Sequence, residues 1–355
     1  MKRTIVVMAG GTGGHVFPAL AVAKVLHARG YNIQWLGGEH GIEQRLVPAA
    51  GYPLKALTVK GLRGGGLLHK VLAPFMVLRA VNHARAWLKT VQPSVVIGFG
   101  GYASGPGGLA ARLRGTPLVI HEQNAMPGLT NRVLSRFATK TVAAFEGAFG
   151  TDVEVVGNPV REDILTLASP AERYGQRSGP LRILVLGGSQ GALALNKTLP
   201  SALAPLVADK DVVIRHQAGR GRIEETQEAY ASAKLHAQID EFIDDMAEAY
   251  AWADLVICRA GALTVSELAA AGVAAVCVPL PTAADDHQTR NAEWLVHTGA
   301  ARLMPQAELT SAGLAQQLND ILDRDVLREM AEKGRAASHV NSMKRVADLC
   351  EELIK

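Results

Sequence analysis

The sequence predicts an α/β protein built from two Rossmann-like domains, each a parallel sheet covered by helices. One unit is used twice: "RTIVVMAGGTGGHVFPALAVAKVL" from Arg3 and "LRILVLGGSQGALALNKTLPSAL" from Leu181 both read strand, Gly-rich turn, helix. Apolar strand-like runs alternate with helical segments along both halves, the pattern of parallel sheets buried on both faces. At 355 residues the chain exceeds one core of ordinary size, so two domains are expected.

In the first half the strands read as "RTIVVM", "IQWLGG", "SVVIGFGG", "PLVIHEQ" and "KTVAAF". In the second they read as "LRILVL", "VVIRHQAG", "LVICRAG" and "AAVCVPLP". The join falls near Gly157-Asn158-Pro159, which gives domains of 1–160 and 161–340. Ligands of such sheets bind beyond the C-terminal strand ends. Two such domains facing each other would enclose a deep cleft.

Composition narrows the function. The three cysteines have no metal-ligand spacing, which suits reduced thiols in the cytosol. Met1-Lys2-Arg3 leads straight into a strand, an opening not expected of a signal peptide. The longest apolar run, Ala269 to Pro281, is too short for a membrane span. Net charge is +4, but residues 1–160 hold 17 Lys+Arg against 6 Asp+Glu, and the remainder holds 20 against 27. The basic half therefore suits an anionic partner, either a phosphorylated ligand or an anionic membrane surface. A nucleic acid is disfavoured, because the bases are scattered and few aromatics interleave with them.

Three Gly-rich turns follow strands: Gly10 to Gly14, Phe99 to Gly108 and Gly187 to Ala192. The first is neither a Walker A loop nor a full G-x-G-x-x-G, since Val16 fills the third glycine position. Backbone N–H groups in such turns, with the helix N-terminus behind them, still point to an anion; a tight turn without ligand is the alternative. His15 opens the first helix, as a structural histidine or as a base that takes a proton from a sugar hydroxyl. His121, Glu122, Gln123 and Asn124 follow an apolar strand and either face the cleft, the favoured reading, or bond fully within a buried loop.

In "CRAGALTVSELAAAG" the N–H groups of Ala262, Leu263 and Thr264 can meet a diphosphate. Glu267 can accept from the vicinal hydroxyls of a ribose, or else complements the helix dipole. Asp285-Asp286 read as the opening acids of a helix, while His287 and Gln288 can reach a sugar. The two Asp-x-Asp pairs, Asp209/Asp211 and Asp323/Asp325, lie in charged stretches and read as solvated, so no metal is expected. Helix N-termini and an Arg, for which Arg161 is the choice, would neutralise a diphosphate instead. Leu67 to Lys89 carries a helical apolar period through Leu68, Val71, Leu72, Phe75, Met76 and Leu78, with six basic side chains interspersed. It is either a sheet-packing helix or one that touches anionic lipid.

The segments "MAGGTGGHVFPALAVA", "GLRG", "GGYASGPGGLAA", "HEQNAMPGLTN", "GNPVR", "LGGSQGA", "EFIDDMAEAYAWADLVICRAGALTVSELAAAG" and "HQTRNA" closely resemble the bacterial peptidoglycan GlcNAc transferases, in the family's order and over nearly the whole chain. The resemblance implies the two-domain GT-B glycosyltransferase fold. It implies inverting transfer of GlcNAc from UDP-N-acetylglucosamine (UDP-GlcNAc) to the C4 hydroxyl of MurNAc-(pentapeptide)-pyrophosphoryl-undecaprenol (lipid I), giving lipid II. It further implies no cofactor or catalytic metal, peripheral attachment to the cytoplasmic face of the inner membrane through the first domain, and other cell-wall synthesis proteins as candidate partners. A C-terminal helix, about 341–355, would pack back on the first domain.

By motif, the resemblance places Thr12, Gly13 and Gly14 at the cleft with His15, and Asn124 and Gln288 on the GlcNAc. It places Arg161 and Ser189 near the diphosphate or nucleotide, and Ile243 on the uracil by backbone contact. Ala262, Leu263, Thr264, Val265, Ser266 and Glu267 would hold diphosphate and ribose. Two departures stand out. Gly272-Val273-Ala274 replaces a frequent Gly-Leu-Pro, and His287-Gln288 replaces a Gln-Gln found in some relatives. Competing readings are an epimerase of the same fold, a NAD-dependent oxidoreductase and a membrane scaffold without activity. The basic first half and the 67–89 segment favour the transferase over the first, and the broken glycine fingerprint disfavours the second.

Overall fold

The computed structural model describes residues 2–58, 67–150, 153–188 and 191–354. The chain forms two compact units, Met1–Arg161 with His339–Lys355, and Glu162–Ser338. The first contains a seven-stranded sheet of β1 (Thr4–Met8), β2 (Asn32–Gly38), β3 (Leu54–Leu57), β4 (Val95–Gly98), β5 (Leu118–Glu122), β6 (Lys140–Ala143) and β7 (Glu154–Val155). Their order is β3-β2-β1-β4-β5-β6-β7. The second contains β8 (Leu181–Leu186), β9 (Val212–Gln217), β10 (Gln238–Asp240), β11 (Leu255–Cys258), β12 (Ala274–Cys277) and β13 (Ala301–Leu303), ordered β10-β9-β8-β11-β12-β13. All pairs in both sheets are parallel. The first six strands of each unit thus share one topology, and the expected α/β class with two parallel-sheet domains is borne out. In each sheet the order reverses beside the first strand, between β1 and β4 and between β8 and β11. Ligand crevices of doubly wound sheets open at that point.

The period of two along β1 explains why it is apolar throughout. Ile5 and Val7 pack with α1 (Gly13–Ala28), whereas Val6 and Met8 pack with α3 (Leu67–Val91) and α4 (Ser104–Leu113). The helix Ser342–Glu352 joins the α1 side, burying Val346, Ala347, Leu349 and Cys350. Arg29 on the end of α1 meets Asp348 and Glu351 there at 2.7 and 2.8 Å.

Four strands escape the sequence reading: β3, β7, β10 and β13. They read "LKAL", "EV", "QID" and "ARL". All lie at sheet edges, where one side is unpaired and no continuous apolar run is required. The 67–89 segment is one helix with Pro74 inside it. Its side chains at 67–73 lie outside the described residues. Beyond them Ala80, Val81, Ala84 and Leu88 are buried, while Phe75 is 70% and Leu78 58% exposed. The sheet-packing face is therefore not the stripe expected from Phe75 and Leu78.

Candidate functional site

Each unit carries its own cluster of candidate residues. In the first, β1 ends at Met8, and the chain turns through Gly10 to Thr12 before α1 begins at Gly13. Thr12 is the N-cap, yet its hydroxyl does not cap the helix. It lies 3.3 Å from His15 Nδ1 instead. The turn after β4 closes against this one. Gly101, at φ +88°, sits so tightly on the Gly10 carbonyl that any Cβ there would collide with it. A Cβ on Gly100 would stand 3.0 Å from His15 Cδ2 and 3.1 Å from Nε2. Glycines at 100 and 101 therefore leave room for an imidazole at the switch point.

A residue that sequence reasoning missed organises this turn from beneath. Glu43, the first residue of α2 (Glu43–Ala49), is 1% exposed. Its Oε2 accepts from Gly11 N and its Oε1 from Gly38 N, both at 2.9 Å. Gly10, Gly37 and Gly41 crowd the same side chain so closely that a Cβ on any of them would overlap it. Part of the glycine signal in "AGGTGG" and "LGGEHG" thus serves a buried carboxylate. The N–H of Gly11 is spent within the protein, which weakens the anion-cradle reading of the first turn.

The loop after β5 corrects the favoured reading of "HEQN". His121, Glu122 and Gln123 are buried and bonded within the unit, because polar groups placed there without partners would be costly. His121 Nε2 lies 2.9 Å from Gly157 O, and Gln123 Nε2 lies 3.0 Å from His121 Nδ1. Burial lowers the His121 pKa to about 4, so the ring is neutral, donating at Nε2 and accepting at Nδ1. Glu122 gathers the loop: Oε1 accepts from Asn124 N and Nδ2, and Oε2 accepts from Gly128 N and Asn131 Nδ2, at 2.9 to 3.2 Å. Only Asn124, of the four, is partly exposed. Ser342 Oγ donates to the same Gly157 carbonyl as His121, so this loop and the returning C-terminal segment share an anchor. Arg161 is partly exposed and closes the 1–161 segment.

In the second unit, Gly261 is the N-cap of the helix Ala262–Ala271, and Gly272 at φ +62° ends it. The helix follows β11, so its first turn stands at the second switch point. It carries Ala262, Leu263, Thr264, Val265, Ser266 and Glu267 in succession. Glu267 is 6% exposed, and its Oε2 accepts from Tyr250 Oη at 3.1 Å. Arg173 ties that pair in place by donating to the carbonyls of Tyr250, Ala271 and Gly272. A second link was not foreseen. Gln217, at the end of β9, donates to Gly188 O at 3.0 Å and accepts from Ile243 N at 3.4 Å. It joins the turn after β8 to the residue expected to meet uracil.

Gln288 lies in the helix His287–His297, and its Oε1 accepts from Leu280 N at 3.0 Å. Asp286 is that helix's N-cap and accepts from Thr289 Oγ1 at 2.7 Å. Asp285 and Asp286 both adopt left-handed backbone, φ +52° and +51°. Ser189 and the "GLRG" segment lie outside the described residues. Among the described residues, no group of three or more His, Cys, Asp or Glu could hold a metal ion.

Comparison with known proteins matches residues 5–143 to the glycosyltransferase family 28 N-terminal domain and residues 182–349 to its C-terminal domain. The chain is 56% identical, over 99% of both chains, to the UDP-N-acetylglucosamine–N-acetylmuramyl-(pentapeptide) pyrophosphoryl-undecaprenol N-acetylglucosamine transferase of Alcanivorax borkumensis. It is 54% identical to the protein of the same name from Photobacterium profundum, over 100% of this chain and 99% of that one. Among solved structures, it is similar to Acinetobacter baumannii MurG, with a TM-score of 0.88, 46% identity and 99% of each chain covered.

Proposed function

Because this chain belongs to the UDP-N-acetylglucosamine–N-acetylmuramyl-(pentapeptide) pyrophosphoryl-undecaprenol N-acetylglucosamine transferases, we propose a mechanism in which His15 is the general base of GlcNAc transfer. The enzyme is a UDP-sugar glycosyltransferase that carries GlcNAc from UDP-GlcNAc to lipid I. The C4 hydroxyl of the MurNAc attacks C1 of the GlcNAc from the face opposite the leaving group. The new C4–O–C1 bond forms as the C1–O bond to the β-phosphate breaks, which inverts the anomeric centre. The hydroxyl proton passes to His15, and the bonding pair leaves on UDP.

The pairing of Thr12 with His15 is the single observation that carries this reading. The Thr12 hydroxyl, 3.3 Å from Nδ1, orients the ring, and Nε2 is the nitrogen assigned to take the proton. A side chain at position 100 would press on the ring at Cδ2 and Nε2, and glycine there avoids this. Thr12, Gly13 and Gly14 meet the acceptor and the transferring sugar, and Asn124 and Gln288 bond the GlcNAc. In the second unit, the N-terminus of the helix Ala262–Ala271 takes the charge that develops on the diphosphate, with Arg161 and Ser189 assisting. Glu267 accepts from the ribose hydroxyls, and the backbone of Ile243 meets the uracil. The first unit, residues 1–160 with the C-terminal helix, is the acceptor side, and 161–340 the donor side. No metal or cofactor enters this scheme.

The test is transfer of labelled GlcNAc from UDP-GlcNAc to a short-chain lipid I analogue in excess EDTA. We expect β-linked product. UDP release without transfer, or epimerised sugar, would overturn the transferase mechanism. Product only after magnesium is restored would overturn metal independence.

The acceptor's undecaprenyl chain calls for a membrane-facing surface on the first unit. No helix among the described residues is long and apolar enough to cross a membrane. Phe75 and Leu78 on α3, Leu113 at the end of α4, and Leu129 and Val133 on α5 (Leu129–Leu134) are exposed, and these helices pack side by side. Arg79, Arg85 and Lys89 add charge along α3. This supports peripheral binding to the anionic cytoplasmic face of the inner membrane, where each such base is worth about 1 kcal/mol. Replacing Lys70, Arg79, Arg85 and Lys89 together by Gln should weaken sedimentation with phosphatidylglycerol vesicles by at least about tenfold at moderate salt. Unchanged binding would defeat the electrostatic part of this reading.

A further inference from the structure

Glu43 is a buried carboxylate that the transfer scheme does not use. Its two oxygens bridge Gly11 N, beside the N-cap Thr12, and Gly38 N, at the end of β2. Three further glycines leave space for it, which would be an extravagant arrangement for a helix-capping acid alone. Each end of the bridge has a different consequence. Gly38 ends β2 and is paired in the sheet with Leu57 of β3. Gly11 is the residue whose peptide sets the direction in which Thr12 leaves the turn. Thr12 then holds His15 through Nδ1, and Gly100 bounds the other side of the ring.

We propose that Glu43 is a positioning residue for GlcNAc transfer, fixing the Gly11-Thr12 turn on the sheet so that His15 is held at the acceptor hydroxyl. This rests on the reading of His15 as the base. The carboxylate suits the task because it accepts from two N–H groups at once in a fixed fork. An amide of the same shape accepts at one oxygen and turns a second donor on the other N–H.

The test is a double-mutant cycle of Glu43→Gln with His15→Ala, read as kcat per folded molecule together with KM for UDP-GlcNAc. Alone, E43Q should lower kcat about 10- to 100-fold, of the order expected for a general base held out of place. KM for UDP-GlcNAc should stay within about twofold, because the nucleotide residues lie in the other unit. E43D keeps the carboxylate but not the reach to both N–H groups, so it should lower kcat as well, again with KM for UDP-GlcNAc nearly unchanged. In the H15A background, E43Q should add almost nothing.

Several results would overturn the proposal. These are a wild-type kcat per folded molecule in E43Q, losses that multiply in the double variant, or failure of both E43Q and E43D to fold, which would make Glu43 a structural residue only. Full transfer by H15A alone would instead remove the base reading, so the two failures are told apart.

Discussion

His15→Ala should lower kcat for GlcNAc transfer by about 10²- to 10⁴-fold and leave UDP-GlcNAc affinity within about twofold of wild type. The range is that of a positioned general base, and the selectivity follows from where the residue sits. His15 is in the first turn of α1, in the first unit, while the residues proposed to bind the nucleotide are on the helix after β11 and at Ile243 in the second. Glu122, a carboxylate at the end of β5 in the same unit, is the alternative to weigh as the base. Its two oxygens already accept from Asn124, Gly128 and Asn131, and it is buried, so its role is to hold the Asn124 loop. Removing it should disturb the sugar contacts proposed for Asn124 and raise KM, a different signature from that of H15A. The pair of variants is decided by steady-state kinetics with both substrates varied. Full transfer by H15A, with the lipid I analogue saturating, would end the base assignment.

The sequence exposes this architecture where the physics is local. An apolar run, a glycine turn and a helix start are adjacent residues, so the turns after β1, β4 and β8 are legible, as is the Gly261 helix start after β11. The apolar runs also identify the strands that are paired on both sides. What escapes is whatever depends on long-range partners. Nothing near Glu43 says that Gly11, thirty-two residues earlier, will donate to it. Likewise, nothing in "VVIRHQAG" says that Gln217 will join Gly188 to Ile243. The "HEQN" run points toward a ligand in the sequence because polar residues after a strand usually meet solvent or substrate. Here Gly157 and Asn131 supply the partners that make burial tolerable for His121 and Glu122. The edge strands were missed for the converse reason, since a strand paired on one side can keep Lys55, Glu154 or Gln238 without cost.

Glu267→Ala should weaken UDP binding by about 10- to 100-fold, the equivalent of about 1.5–3 kcal/mol for hydrogen bonds to a charged acceptor. The residue is preorganised for this. It lies at the sixth position of its helix, its Oε2 is held by Tyr250, and Arg173 ties the backbone of both residues' segments together. That arrangement fixes the carboxylate before the ligand arrives, so little ordering is left to pay for on binding. A field effect at the diphosphate would have the opposite sign, since removing a negative charge near a helix N-terminus favours anion binding; weaker binding therefore points to a contact or to lost preorganisation. The discriminating measurement is calorimetry of UDP against its 2′-deoxy and 3′-deoxy analogues. Wild type should bind UDP more tightly than at least one deoxy analogue, and E267A should bind all three alike. Tyr250→Phe should lie between them, since the carboxylate stays but loses its fixed orientation. If E267A discriminates among the analogues as well as wild type does, the hydroxyls are read elsewhere. Glu267 would then act by holding Tyr250 and its own helix in place, in which case Tyr250→Phe should weaken UDP binding as much as E267A does.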